Sequence, residues 1–343
     1  MMLELETPPT PAKRVGRTGK ELLRATTPFA QENRARSWWC LLSTVTLMTA
    51  ALVAAGMAPW WPLQLVLAPI AGMLMVRAFI HFHDFMHGAI LQGSWLAEAI
   101  FFGIGVLVLT PPRSWRHSHN YHHAHVGQLE ASSVGSFPIM TTEAWSKATP
   151  AQRLRYRVAR SPVTLACAYA TVFFWSITVD SFLKEPKRYW DSLAVVGLHA
   201  GLITTIALIG GANPVFFGLL LPMFCAAVAG AYLFYAQHNF VGVRILPSDE
   251  WTYDHAALES SSFLKLGPVM HWFTGNIGYH HVHHLNPAVP FYRLPEAMRG
   301  VSELQNPPTT SLRVGDIIAC LRLKLWDPKN RRMISFREAK LAA

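Results

Sequence analysis

Six runs of apolar residues, 38–57, 63–80, 95–110, 162–183, 192–210 and 215–235, stand between polar stretches of this 343-residue chain. A hydrocarbon core takes about 20 apolar residues in helical form, so 38–57, 63–80, 192–210 and 215–235 predict four spanning helices. The turns inside each pair, 58–62 and 211–214, carry no charge, whereas Lys13, Arg14, Arg17, Lys20, Arg24, Arg34 and Arg36 precede the first run. Basic residues mark the cytoplasmic side of a membrane protein, which places the N-terminal segment 1–36 inside and both turns outside. Arg77, near the inner end of the second run, is expected to snorkel to the interface.

The other two runs read differently. Run 162–183 is flanked by Arg153, Arg155, Arg157 and Arg160 before it and by Lys184, Lys187 and Arg188 after it. With both ends inside, it predicts an interfacial or re-entrant segment. Beyond Gln237 the chain is polar, with an acidic loop at Asp249, Glu250 and Asp254, an amphipathic helical pattern over 312–325, and a basic tail over 329–337 expected to be solvated or to face headgroups. The fold class is therefore all-α integral membrane: one domain over 37–343 with four spanning helices, interfacial helices and a cytoplasmic cap.

Composition agrees, with 51% apolar and 15% charged residues and a mean hydropathy of +0.23. In that setting the net charge of +10 describes the cytoplasmic face and not a nucleic-acid footprint. Cys40, Cys167, Cys225 and Cys320 are too scattered for a disulfide framework or a Cys metal site. Acidic residues and prolines stand where a signal peptide would have its basic and apolar regions, so no cleaved targeting segment is expected.

The candidate chemistry lies in the 16 histidines, 12 of which fall in three groups. His83-Asp-Phe-Met-His87 spaces two imidazoles at i and i+4, the helical spacing of a ligand pair. His119-Asn-Tyr-His122-His123 and His280-His-Val-His283-His284 are both H-x-x-H-H, which on a helix puts the first, fourth and fifth positions on one face. One such box alone would read as a solvated loop; three together read as metal ligation, because buried imidazoles without a metal would leave polar nitrogens unpaired. For the boxes to share a centre they must lie on one side of the membrane, so run 95–110, broken by Gly103, Gly105 and Pro111-Pro112, is expected not to cross.

Eight box histidines exceed the three or four ligands of one zinc and suit two metals. Imidazole accepts zinc, copper, iron or nickel alike. A site at the membrane surface implies a substrate whose apolar part is already in lipid, and oxidation of an unactivated C–H bond there calls for a redox metal such as iron with dioxygen.

The ordered boxes, with Trp115-Arg-His-Ser before the second and Gly275-Asn-Ile-Gly-Tyr before the third, resemble the membrane fatty acid desaturases, closest to the bacterial acyl-lipid branch of omega-6 or delta-12 type. The resemblance runs from about Arg24 to Leu325-Trp-Asp. It implies a di-iron site on the cytoplasmic side of a multi-pass protein, in a bacterial inner membrane, that uses dioxygen and two electrons to put a cis double bond into an acyl chain of a lipid. It also implies His238, in Tyr235-Ala-Gln-His-Asn-Phe, as a further ligand. The ligand set so implied is His83, His87, His119, His122, His123, His238, His280, His283 and His284, with two iron ions. No haem-binding segment is fused to the chain, so a separate electron donor of ferredoxin or cytochrome b5 type is expected as a partner.

The chain departs from the pattern twice. Some animal relatives have asparagine four residues before the extra histidine, where this chain has Phe234, and Pro287-Ala-Val-Pro290-Phe-Tyr replaces the Pro-Arg-Ile-Pro-Asn-Tyr of close bacterial relatives. Asp84 and Asn120 are candidates to orient ligand imidazoles, or else to make local bonds at helix ends. His81, His117, His125 and His281 fall off the shared faces; His199 reads as a hydrogen-bonded core residue, and His255 and His271 as helix caps. Phe82, Phe85, Phe101, Phe102 and Trp115 either pack or line an acyl channel. Two other functions stay open: a His-box hydroxylase or ketolase of an alkane, sterol or carotenoid, which begins with the same hydrogen abstraction, and a metal transporter. The transporter is disfavoured because only His199 lies within a spanning run, where a transport pathway would need ionisable groups.

Overall fold

The computed structural model describes residues 16–131 and 135–341; Lys13 and Arg14 of the basic N-terminal segment lie outside them. The chain opens with α1 (Gly19–Thr26) and the long α2 (Arg34–Met57), which starts four residues before the apolar run because the Asn33 side chain caps it by accepting from Arg36 N. Helix α3 (Trp61–His87) returns alongside it and continues without a break through the first histidine box, ending at Gly88 in the left-handed conformation. The second pair is α10 (Asp191–Gly210) and a helix over Ala212–His238 made of α11 (Ala212–Val215), a π-helical turn and α12 (Leu221–His238). These four, at the four predicted places, are long and apolar enough to cross a membrane.

Small residues let them approach. Gly56 of α2 meets Gly218 backbone to backbone, and a Cβ on Gly72 of α3 would lie 2.7 Å from Pro222 O and 2.9 Å from Cys225 Cβ.

Helix α4 (Trp95–Leu107), capped by Ser94, stops after 13 residues, about 20 Å at 1.5 Å per residue. Leu109 then takes a positive φ, and α5 (Pro112–His125) leaves at a bend of 88°. Run 162–183 is also no single long helix: α8 (Pro162–Ala166) leads into π-helical turns over Tyr169–Asp180 and then α9 (Ser181–Lys184). Leu165 and Ala168 pack on Ala227, Ala231 and Tyr235 of α12, while Thr178 donates to Leu109 O and Ser114 donates to Ile177 O. The run thus props the α4–α5 bend against α12.

The cap contains α6 (Thr142–Lys147), α7 (Pro150–Ala159), α13 (Tyr253–Glu259), α14 (Pro268–Phe273), α15 (His280–Leu285), α16 (Leu294–Gly300), α17 (Val314–Arg322) and α18 (Phe336–Leu341). Short strands also occur, which the all-α reading lacked. Strands β1 (Met140–Thr141), β4 (Leu325–Asp327) and β5 (Arg332–Ile334) form one sheet, and β2 (Phe263–Lys265) pairs in parallel with β3 (Thr309–Ser311). The amphipathic pattern over 312–325 accordingly resolves into α17 alone, between β3 and β4. The basic tail is not simply solvated, because Met333 and Ile334, directly after Arg331 and Arg332, are buried.

Arg77 is a second correction. It does not snorkel: only 6% exposed, it donates to Thr44 Oγ1 at 3.0 Å and to Trp272 O, and its guanidinium lies 4.3 Å over the Trp272 ring. The cap residue Trp272 thereby holds the end of α3 that carries the first box. Close packing makes a direct test of the helix arrangement: Gly72→Val should lower stability by about 1–3 kcal/mol through overpacking, read as an earlier thermal unfolding in detergent, and an unchanged transition would mean α3 and α12 do not meet there.

Candidate metal centre

Four helix ends deliver the imidazoles. The last turn of α3 supplies His83 and His87, the last three turns of α5 supply His119, His122 and His123, the last residue of α12 is His238, and α15 supplies His280, His283 and His284. Helix α15 is only six residues long, and the buried Val282 and Leu285 fix its other face in the core.

The nine imidazoles separate into two groups. His83, His87, His119, His123 and His283 bring ligand nitrogens within 4.8 Å of one another, and His122, His238, His280 and His284 do the same. In each H-x-x-H-H box the first and fifth positions, at i and i+4, serve one centre while the fourth turns to the other. The second box gives its pair to the five-histidine centre, and the third gives its pair to the four-histidine centre. The shared face expected of each box is real, but it straddles two centres instead of closing on one. The groups adjoin, with the His123 and His284 rings stacked at 4.2 Å.

The contacts fit a cation and fit its absence poorly. His238 Nδ1 is 3.0 Å from Ser260 O, a pure acceptor, so Nδ1 carries the proton and Nε2 has a lone pair. That Nε2 lies 3.1 Å from His122 Nε2 and 2.9 Å from His280 Nε2, and His280 Nε2 is again 3.2 Å from His284 Nε2. A single nitrogen cannot satisfy two such neighbours by donating and accepting at once. In the other group His123 Nε2 stands 3.1 Å from His119 Nε2 and 3.0 Å from His283 Nε2, and His87 Nε2 is buried with no hydrogen-bond partner among the described residues. Burial, with neighbouring imidazoles adding to it, holds His119, His122, His123, His280, His283 and His284 well below the ordinary histidine range. They are neutral, the form that binds metal.

Second contacts set the rings. Asp84 Oδ1 lies 3.0 Å from His83 Nδ1, and its Oδ2 accepts from Phe291 N at 2.6 Å, so one carboxylate ties a ligand ring to the segment after the third box. Trp115 stacks on His119 at 4.2 Å, and Tyr253 donates to His284 O at 2.6 Å. Neither Tyr253 nor the Ser260 carbonyl stands at a spacing that would single it out in the sequence. Asn120 is exposed on α5, whereas His119, His122 and His123 are buried, and among the described residues no hydrogen bond joins it to a ligand ring. Phe234 packs against His122 and His238 at 5.0 and 5.3 Å.

The remaining histidines stand outside both groups. His117 meets Arg188, His125 stacks on Tyr121, His281 Nε2 lies 3.0 Å from Leu304 O, and His81 stacks on Phe291. His199 lies 3.0 Å from Val106 O and 3.3 Å from the Tyr169 hydroxyl. His255 is exposed within α13 and His271 stacks on Phe263 within α14, so neither is a cap. Phe82, Phe85, Phe101 and Trp115 are buried, with Phe102 packed against the same core.

A helical protein with four membrane-length helices and two adjoining centres of imidazole alone is the class that fold and site define. The profile of the fatty acid desaturase family matches residues 58–312. The chain is 34% identical over 333 residues to the fatty acid desaturase of Bacillus subtilis (strain 168), covering 94% of this chain and 92% of that protein. It is 23% identical to the sn-1 oleoyl-lipid 12-desaturase of Synechocystis sp., over 81% and 79% of the two chains, and 25% identical to the endoplasmic reticulum omega-3 fatty acid desaturase of Vigna radiata, over 76% and 69%. The chain belongs to the fatty acid desaturase family, and is an oxidoreductase acting on fatty acyl chains.

Substitutions should sort by position. His238→Ala should lose bound metal as a box mutant does, while His117→Ala and Asn120→Ala should keep it. Asp84→Asn should weaken metal retention about 10–100-fold. Metal analysis of the purified variants checks all four, and full metal in His238→Ala would remove that residue from the centre.

Proposed function

We propose that the nine histidines hold two iron ions, five at one centre and four at the other, and that the protein puts a cis double bond into the acyl chain of a membrane lipid. The five-plus-four division carries this reading, since it provides two redox-capable centres side by side. Bound iron with dioxygen supplies the oxidising power to remove hydrogen from unactivated methylenes. The protein's own part is to keep the imidazoles neutral, to fix the His83 ring through Asp84 and the His238 ring through Ser260 O, and to keep bulk water from buried rings. Lipid-linked substrate is supported by the acyl-lipid desaturases among its relatives.

The electrons come from a separate donor, of ferredoxin or cytochrome b5 type. The exposed basic residues Arg116, Lys184, Lys187 and Arg188, near box two and beside the 162–183 run, suit an acidic partner. The boxes face the cytoplasm, in a bacterial inner membrane, with membrane lipids around the four long helices. This orientation draws on the uncharged turns at 58–62 and 211–214 and the basic segments at the opposite helix ends.

Two measurements test the reading. Expression in a host of defined fatty acids, with mass spectrometry of the methyl esters, should show one new double-bond position that is absent in a His280→Ala control; hydroxylated products instead would assign a different outcome to the radical. Reporters fused after Gly127, Lys187 and Pro287 should all report the cytoplasm, and an outside signal from the Lys187 fusion would reverse the topology of the 162–183 run.

A further inference from the structure

A cavity of about 40 Å³ opens against the four-histidine centre, with His122 and His238 in its wall, and touches none of the five-histidine centre. Phe137, Phe234 and Tyr235 form its apolar side and Arg160 its charged side. A water takes roughly 10–15 Å³ on this measure. The space therefore holds a few waters or one triatomic ion, and no acyl chain.

Arg160 is 2% exposed. One terminal nitrogen, Nη2, donates to Asn239 Oδ1 at 2.7 Å and Leu323 O at 3.0 Å, while the buried Nε has no hydrogen-bond partner among the described residues. Asn239 directly follows His238, and Tyr235, a turn earlier on α12, lies 5.1 Å from the guanidinium. The cation is thus tied to the same turn that presents His238. Lys324, 8% exposed, adds a second positive charge by donating to Arg160 O. Among the described residues no carboxylate forms an ion pair with either cation. Arg160 and Lys324 follow the C-termini of α7 and α17, whose partial negative charges offset only part of the cost of two buried cations.

We propose that this cavity is a binding position for a small monovalent anion, held by Arg160 beside the four-histidine centre. The anion completes the charge balance of the Arg160–Lys324 pair and reaches that centre alone. This cavity does not border the five-histidine centre, so through it the two centres differ in their response to small ligands.

The inference rests on the proposed metal centres, and azide and nitric oxide binding to the iron-loaded whole protein tests it, with metal content measured on the same samples. In the wild type, azide should perturb the optical spectrum of one iron per chain. Arg160→Gln should weaken azide binding at least about tenfold, the loss of one hydrogen bond to a charged group, while binding of neutral nitric oxide stays unchanged. Phe137→Trp, which fills the cavity and leaves Arg160 in place, should slow the entry of both ligands. Equal azide affinity in wild type and Arg160→Gln, at equal iron content, overturns the anion site. Unchanged entry rates in Phe137→Trp overturn the cavity as the route, which keeps the proposal testable if Arg160→Gln does not fold. A wild-type protein that holds no iron overturns the metal centres themselves.

Discussion

Nine imidazoles gathered in one buried volume make a demand that the rest of the molecule answers. Each neutral ring carries one donor and one lone pair, and the nitrogens converge at separations near 3 Å with too few hydrogens to join them. A cation shared among the lone pairs resolves this, and the protein keeps the lone pairs available by burying the rings. Only then does it matter where each ring points. His238 has its Nδ1 proton placed by a carbonyl, and the His83 Nδ1 is held against the Asp84 carboxyl, so that the far nitrogen of each ring faces its centre.

The two centres arise from helix geometry more than from loop conformation. A pair at i and i+4 commits a helix end to one centre, and the histidine just before the fifth position is turned by roughly 100° toward the other. With α5 and α15 doing this in opposite senses, the centres are stitched together by two helices, so that neither can shift without the other. The supports are equally shared. Asp84 joins α3 to the segment after the third box, Arg77 joins α3 to Trp272, and the 162–183 run braces the bend that brings α5 to the site.

Much of this was legible in the sequence because it depends on local spacing. The four long helices follow from run length, the short and sharply bent segment after 95 from its glycines and prolines, and the boxes from i and i+4 periodicity. What was not legible depends on how helix ends meet. No spacing within His119 to His123 says that His122 leaves the centre of its neighbours, or that Asn120 faces solvent. Arg77 stands at the end of an apolar run, as a snorkelling residue would, and is buried only because Trp272, almost 200 residues later, covers it. The tail reads as basic because arginines dominate it, while Met333 and Ile334 carry the packing. His238 lies outside any box and was marked by family resemblance alone; the structure sets it among His122, His280 and His284.

The central claim, two centres with five and four imidazoles, is tested most directly by anomalous X-ray diffraction from crystals of the purified protein, recorded on both sides of the iron absorption edge. Two iron peaks are predicted in each chain, one enclosed by His83, His87, His119, His123 and His283 and the other by His122, His238, His280 and His284. A single peak, a signal at the zinc edge and none at the iron edge, or a second peak away from His238 would contradict the account.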